Sequence, residues 1–161
     1  YGPYGCGSLR FSNSALEWHQ SRRNWPTDCI AKTLSKALSN TELNFVGHSL
    51  GGGEAALNSL VTSNEKLIGR KAFTFNAAGV GDITKIAEGS WKTRFKSEKN
   101  INAFILTTDP LNLLQNSNPI MPDVNGNRNY LLPKDLPSTY NGHSIDNIIK
   151  NFGVNPDEYK K

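Results

Sequence analysis

The sequence lacks any long apolar segment and has little excess charge of either sign. No stretch of its 161 residues approaches the roughly 18 consecutive apolar residues of a membrane-spanning helix, so we expect a chain that does not cross a bilayer. Its 18 basic and 14 acidic residues leave a net charge of +4. The basic residues are scattered, with no cluster larger than the pairs Arg22-Arg23, Arg70-Lys71 and Lys160-Lys161, so we expect no nucleic-acid partner.

Cysteine is also scarce, with Cys6 and Cys29 as the two thiols. Their spacing fits no metal site, and the sequence leaves open whether they form one disulfide or remain two buried thiols. The chain starts at Tyr1 rather than Met, which leads us to expect a processed product or an excised domain. With 37% hydrophobic residues, its length predicts one packed domain over residues 1–161.

Short apolar runs alternate with helical patterns along most of the chain. Residues 1–26 are turn-rich and predicted to be irregular, whereas residues 110–142 hold five of the eight prolines and are predicted to form a long loop. The predicted elements are strands over 43–46, 71–75 and 101–106, a helix with Ile30, Leu34 and Leu38 on one face, a helix over 51–61, a short helix capped by Asp82 and a last helix after Ser144. This alternation predicts an α/β domain with a mainly parallel sheet flanked by helices.

One short motif combines a serine with closely spaced glycines. Gly47-His48-Ser49-Leu50-Gly51 has the pattern G-x-S-x-G and lies between a predicted strand and a predicted helix, which is the setting of a nucleophile elbow. Ser49 is therefore the candidate nucleophile, and the backbone N–H of Leu50 the candidate oxyanion donor. His48 is expected to pack or hydrogen-bond locally rather than act as a base. The alternative is an ordinary tight turn in which Ser49 caps the helix.

A serine nucleophile needs a base, and the base needs an acid that orients it. Asp109 follows the predicted strand over 101–106, and His143 is the one histidine beyond Ser49. The order Ser49, Asp109, His143 is the chain order of α/β-hydrolase triads. Asp109 could instead be a turn former and His143 a plain helix-start residue. The spare acids in the same region are Asp123 and Asp135.

These residues carry a resemblance to a known family. The elbow through Gly52, with Asn44-Phe45-Val46 before it, resembles that of the class 3 lipases, the fungal-lipase-like branch of the α/β-hydrolases. Phe75-Asn76-Ala77-Ala78-Gly79 is similar to the stretch after the next strand of that family. Thr108-Asp109-Pro110 and Gly142-His143-Ser144 lie where its acid and base would be. The later part of the chain also looks like bacterial phospholipase-type toxin effector domains.

The resemblance implies a reduced α/β-hydrolase fold and a serine ester hydrolase that cleaves acyl esters of lipids at a membrane surface. It implies the C-terminal toxin domain of a secreted effector, delivered into a target cell envelope and countered by an inhibitory immunity protein. No metal or organic cofactor is expected. Class 3 lipases take their second oxyanion donor from an Arg-Gly loop before the elbow, and no Arg-Gly pair precedes Ser49, so that donor is unassigned. A soluble short-chain esterase or thioesterase, and a non-catalytic fragment that needs its N-terminal half, remain alternatives.

Overall fold

A parallel β-sheet forms the centre of the computed structural model, which describes residues 30–63, 70–82, 98–134 and 142–159. The strands of this part are β1 (Phe45–His48), β2 (Ala72–Phe75), β3 (Ile101–Leu106) and β4 (Asn127–Leu131). They lie side by side in the order β1-β2-β3-β4, and each neighbouring pair runs parallel. The predicted α/β class with a mainly parallel sheet is confirmed.

Helices connect and flank these strands. They are α1 (30–37 within the described residues), α2 (Ser49–Thr62), α3 (Pro110–Ser117) and α4 (Ile145–Asn151), with short 3₁₀ turns at Glu98–Asn100 and Pro156–Glu158. In these ranges, none of the helices has the length and apolar character that a bilayer span requires. The predicted elements at 1–26, after Asp82 and around both cysteines lie outside the described residues.

The two faces of the sheet are covered differently. On one face, α2 packs against β1 and β2 through small and aliphatic side chains, and Ala56, Leu60 and Ala72 form a buried cluster with Ile101, the first residue of β3. Side chains alternate across a strand, so Phe75 and Phe104 point to the opposite face. There the two rings stack at 5.4 Å, and Phe152, next to the end of α4, meets Phe104 edge-on at 5.5 Å. In the described residues, one face of the sheet thus packs against α2, and the other face contacts the aromatic ring that directly follows α4.

Arg70 joins α1 to the start of β2. Its buried guanidinium donates from Nε to Ser35 Oγ at 2.7 Å, and from its Nη atoms to the carbonyl oxygens of Ser35, Leu38 and Thr41 at 3.0 to 3.1 Å. Ser35 and Leu38 lie at the C-terminal end of α1 and Thr41 in the turn that follows it, where the end of a helix favours positive charge. One side chain therefore caps a helix and attaches it to the sheet.

The prediction of a long loop over 110–142 is wrong. This stretch contains helix α3, because Asp109 caps the helix and Pro110 occupies its first turn, where a missing N–H costs nothing. It also contains β4, a strand of mostly exposed residues without an apolar alternation. The first predicted strand, 43–46, is displaced to Phe45–His48 because Gly47 and His48 continue the pairing with β2.

Candidate active site

The turn between β1 and α2 holds Ser49 in an unusual backbone conformation. Its φ is 55°, in the left-handed region that residues with a Cβ seldom occupy. Ser49 is the first residue of α2 and follows the last residue of β1 directly, so the chain reverses within a single residue. A Cβ at Gly47 would overlap the carbonyl oxygen of Gly51, so the tight approach of strand and helix needs glycine there. The local geometry is that of a nucleophile elbow.

Ser49, His143 and Asp109, which are far apart in sequence, form one hydrogen-bonded chain. His143 Nε2 lies 2.7 Å from Ser49 Oγ, and His143 Nδ1 lies 2.6 Å from Asp109 Oδ1. A carboxylate oxygen can only accept, so Nδ1 carries the ring proton and Nε2 is left to accept from the serine hydroxyl. The structure thus brings the three predicted residues together, with His143 in the tautomer whose Nε2 can accept a proton.

Asp109 is held from two sides. Its side chain is fully buried, and while Oδ1 faces His143, Oδ2 accepts from the backbone N–H of Asn112 at 3.1 Å and from the Asn112 side-chain amide. Asp109 is also the N-cap of α3, where the helix dipole favours a negative charge. The turn-forming role considered for Asp109 and its contact with the histidine therefore coexist in one residue.

The described part of the chain places the other acidic candidate elsewhere. Asp123 Oδ2 pairs with Arg128 at 3.3 Å. Burial alone would lower the pKa of Arg128, but hydrogen bonds to Tyr130 and Asp123 outweigh it and raise the pKa above its ordinary value. Both residues line an open cavity of about 680 Å³, whose described lining includes no residue of the hydrogen-bonded chain. Asp135 lies outside the described residues.

The backbone N–H of Leu50 belongs to the first turn of α2, where a helix supplies no acceptor four residues earlier. Such an N–H, at the positive end of the helix dipole and next to Ser49, can donate to an oxyanion. The second oxyanion donor stays unassigned. Sequence reasoning missed Asn76, which is fully buried at the end of β2 and donates from Nδ2 to the carbonyl oxygen of Gly142 at 3.0 Å. Its sequence signals were its place after a predicted strand and within the family-like stretch Phe75-Asn76-Ala77-Ala78-Gly79, neither of which assigned it a role.

A serine, a histidine and a buried carboxylate at the carboxyl edge of a parallel sheet form the arrangement found in serine hydrolases. Comparison with known proteins narrows this class. The Tle-like phospholipase domain, a phospholipase-like family, matches residues 20–155, and the chain belongs to this family. It is also 32% identical over 138 residues to an extracellular phospholipase A1 of Serratia liquefaciens, in an alignment that covers 76% of this chain and 41% of that protein. The chain thus spans less than half the length of that relative.

Proposed function

We propose that the protein is a serine ester hydrolase that cleaves acyl esters of phospholipids. The observation that carries this proposal is the hydrogen-bonded chain from Ser49 Oγ through His143 to Asp109, at distances of 2.7 and 2.6 Å. Membership of a phospholipase-like family supports the lipid substrate. The name of the Serratia relative supports the same substrate class and a site of action outside the producing cell.

In the proposed mechanism Ser49 Oγ attacks the acyl carbonyl carbon as His143 Nε2 accepts the hydroxyl proton. Asp109 stabilises the imidazolium and keeps its orientation. The Leu50 N–H donates to the oxyanion, which collapses as the C–O bond to the leaving alcohol breaks and His143 returns the proton to that oxygen. Water, deprotonated by the same histidine, then attacks the acyl-serine ester. The bond from the acyl carbon to Ser49 Oγ breaks, His143 returns the proton to that oxygen, and the fatty acid is released.

The proposed setting rests on the resemblance to secreted phospholipase-type effectors, and the name of the extracellular Serratia relative supports a site of action outside the producing cell. We propose that the substrate is presented at a membrane surface and that the protein acts after secretion or delivery to a target cell envelope. We further propose that an inhibitory immunity protein protects the producing cell. No metal or organic cofactor enters the proposed mechanism, because side chains and one backbone N–H carry every step.

The test is fatty-acid release from phospholipid vesicles by the wild type and by Ser49→Gly and Ser49→Ala. Glycine is the sharper variant, because it removes the nucleophile and also relieves the positive φ at residue 49, so lost activity cannot be assigned to backbone strain. We expect activity to fall by about 10⁴-fold or more in both. Ser117→Ala, which removes an exposed hydroxyl on α3, is the matched control and is expected to retain activity.

Equal activity in the wild type and Ser49→Gly would refute the proposal. A parallel assay with soluble short-chain esters separates the substrate classes. Ser49-dependent hydrolysis of those esters without release from vesicles would replace the phospholipase by an esterase or thioesterase. Failure of a fluorophosphonate probe to label Ser49 would point to a non-catalytic fragment.

A further inference from the structure

The backbone around His143 is held by side chains from two neighbouring strand ends. Asn76 Nδ2, at the end of β2, donates to the carbonyl oxygen of Gly142 at 3.0 Å, and His48 Nε2, at the end of β1, lies 2.7 Å from the carbonyl oxygen of His143. Two consecutive carbonyls are thus each bonded by a different side chain. We propose that Asn76 and His48 are positioning residues that fix the backbone at 142–143, so that the imidazole reaches both of its partners. The proposal rests on His143 being the base.

Asn76 is oriented by the bonds of its own backbone and side chain. Its backbone N–H donates to Phe104 O at 2.9 Å, and its Oδ1 accepts from the backbone N–H of Leu106, also at 2.9 Å. Because Leu106 supplies a donor, the amide oxygen must face β3, and the amide nitrogen must face Gly142. The residue is fully buried, with φ at 42°, a conformation that asparagine tolerates better than most residues.

His48 is the residue before Ser49, and its side chain contacts the backbone of His143. Its ring lies 5.0 Å from the ring of His143, tilted by 42°. The carbonyl oxygen of His143 can only accept, so His48 Nε2 carries the proton of this hydrogen bond. The variable position of the G-x-S-x-G motif therefore reaches the loop that carries the base.

Hydrogen bonds to the backbone at 142–143 matter here because the side-chain bond from His143 to Ser49 cannot by itself keep the imidazole in position. That bond breaks and re-forms whenever the serine reacts, whereas the two backbone bonds persist. Gly142 also packs so closely on Thr108 that a Cβ would overlap the Thr108 carbonyl oxygen, which leaves the loop little room. A displacement of about 1 Å in a reacting group can cost about 100-fold in rate. The two backbone hydrogen bonds therefore set how closely His143 Nε2 approaches the Ser49 oxygen.

Two substitutions remove the donors with little change of shape. Asn76→Asp keeps the acceptor for the Leu106 N–H and the tolerance of positive φ, but places a carboxylate oxygen against the Gly142 carbonyl. His48→Phe keeps a ring beside His143 and removes its donor. His48→Gln returns a donor at similar reach. Asn125→Asp is the matched control, because this buried asparagine accepts from the Val80 N–H at 2.9 Å and makes no bond to residues 142–143.

The assay measures kcat and KM for a soluble ester, the rate of fluorophosphonate labelling and the melting temperature of each variant. We expect Asn76→Asp and His48→Phe to lower kcat by about 10- to 100-fold with KM little changed, and to slow labelling by the same factor. His48→Gln and Asn125→Asp should stay within about threefold of the wild type. The double variant should lose less than the product of the two single losses, because both residues hold the same stretch.

The positioning role is overturned if folded Asn76→Asp and His48→Phe turn over within about threefold of the wild type. It is also overturned if kcat falls only in proportion to the loss of folded protein. His48 is half-buried, so its variants decide the question if Asn76→Asp does not fold. A wild type without Ser49-dependent hydrolysis or labelling would refute the proposed function and this inference together. Ser49-dependent activity that both variants leave intact refutes the inference alone.

Discussion

Replacing Asp109 by asparagine should invert the tautomer of His143 without disturbing the helix that Asp109 caps. Oδ2 accepts from the backbone N–H and the side-chain amide of Asn112, so the residue-109 atom at that position must remain an oxygen. The new NH₂ group then has to take the place of Oδ1, 2.6 Å from His143 Nδ1. Two donors cannot face each other, so Nδ1 becomes an acceptor and the ring proton moves to Nε2.

With a proton on Nε2, His143 can no longer accept the proton of Ser49. The corresponding asparagine change in a serine protease triad costs about 10⁴-fold in kcat, and we expect a loss of that order here. Asparagine is as good an N-cap as aspartate, so the stability of the folded protein should change little. Asp109→Ala, in contrast, removes the cap as well and should also destabilise the protein by about 1 kcal/mol.

The assay is fatty-acid release together with urea unfolding of both variants. Asp123→Asn serves as the control, since this acid pairs with Arg128 away from Ser49 and should keep wild-type activity. Activity of Asp109→Asn within about tenfold of the wild type would refute the tautomer argument. A loss of activity in Asp123→Asn comparable to that in Asp109→Asn would contradict the assignment of the acid.

Three further predictions concern the stability of the fold and the reactivity of Ser49. Gly47→Ala should prevent stable folding, because its Cβ would overlap backbone atoms of Gly51 and Gly52. The Cβ of Gly51→Ala would meet no atom within 4 Å, so this variant should leave the stability measured in thermal melts unchanged or raise it by up to about 1 kcal/mol. Arg70→Met should destabilise the protein by about 2–4 kcal/mol in urea titrations, because it removes the hydrogen bonds that the buried guanidinium donates to the Ser35 hydroxyl and to the carbonyl oxygens of Ser35, Leu38 and Thr41. Lys71→Met, at an exposed ion pair, should change stability by less than about 1 kcal/mol, and equal effects of the two would contradict this account. Gly142→Ala should slow fluorophosphonate labelling by about 10-fold or more, because the added Cβ would overlap the Thr108 carbonyl oxygen and displace the backbone at 142–143. An unchanged rate would contradict this expectation.

Apolar elements of the fold could be predicted from the sequence, and polar ones could not. The strand Ile101–Leu106 has its predicted bounds, because β-branched and apolar residues line it and most of them are buried. Helix α3 carried a usable signal in the pair Asp109-Pro110, a cap followed by a residue suited to the first turn. Strand β4 carried almost none, since Asn127–Leu131 is polar and mostly exposed and is specified by its pairing with β3.

Some residues of the candidate site could likewise be predicted from the sequence, and one could not. Ser49 was predictable because its glycine spacing is a local requirement of the turn. Asp109 could be singled out because it follows a predicted strand, and the carboxyl ends of parallel strands meet at one edge. His143 could be singled out because it is the one histidine after Ser49. The contact of Asn76 could not be predicted, because its partner Gly142 lies 66 residues further along the chain and no local sequence pattern indicates that hydrogen bond.

The sequence distances within the hydrogen-bonded chain have a consequence for folding kinetics. His143 is 34 residues from Asp109 and 94 residues from Ser49, so both bonds close long loops of chain. Contacts of such separation require most of the loop-closure entropy to be lost before they form, and they slow folding. In a refolding experiment, helical signal should therefore return before reactivity with a fluorophosphonate. On this reasoning, the reactivity of Ser49 returns later in refolding than the helical structure does.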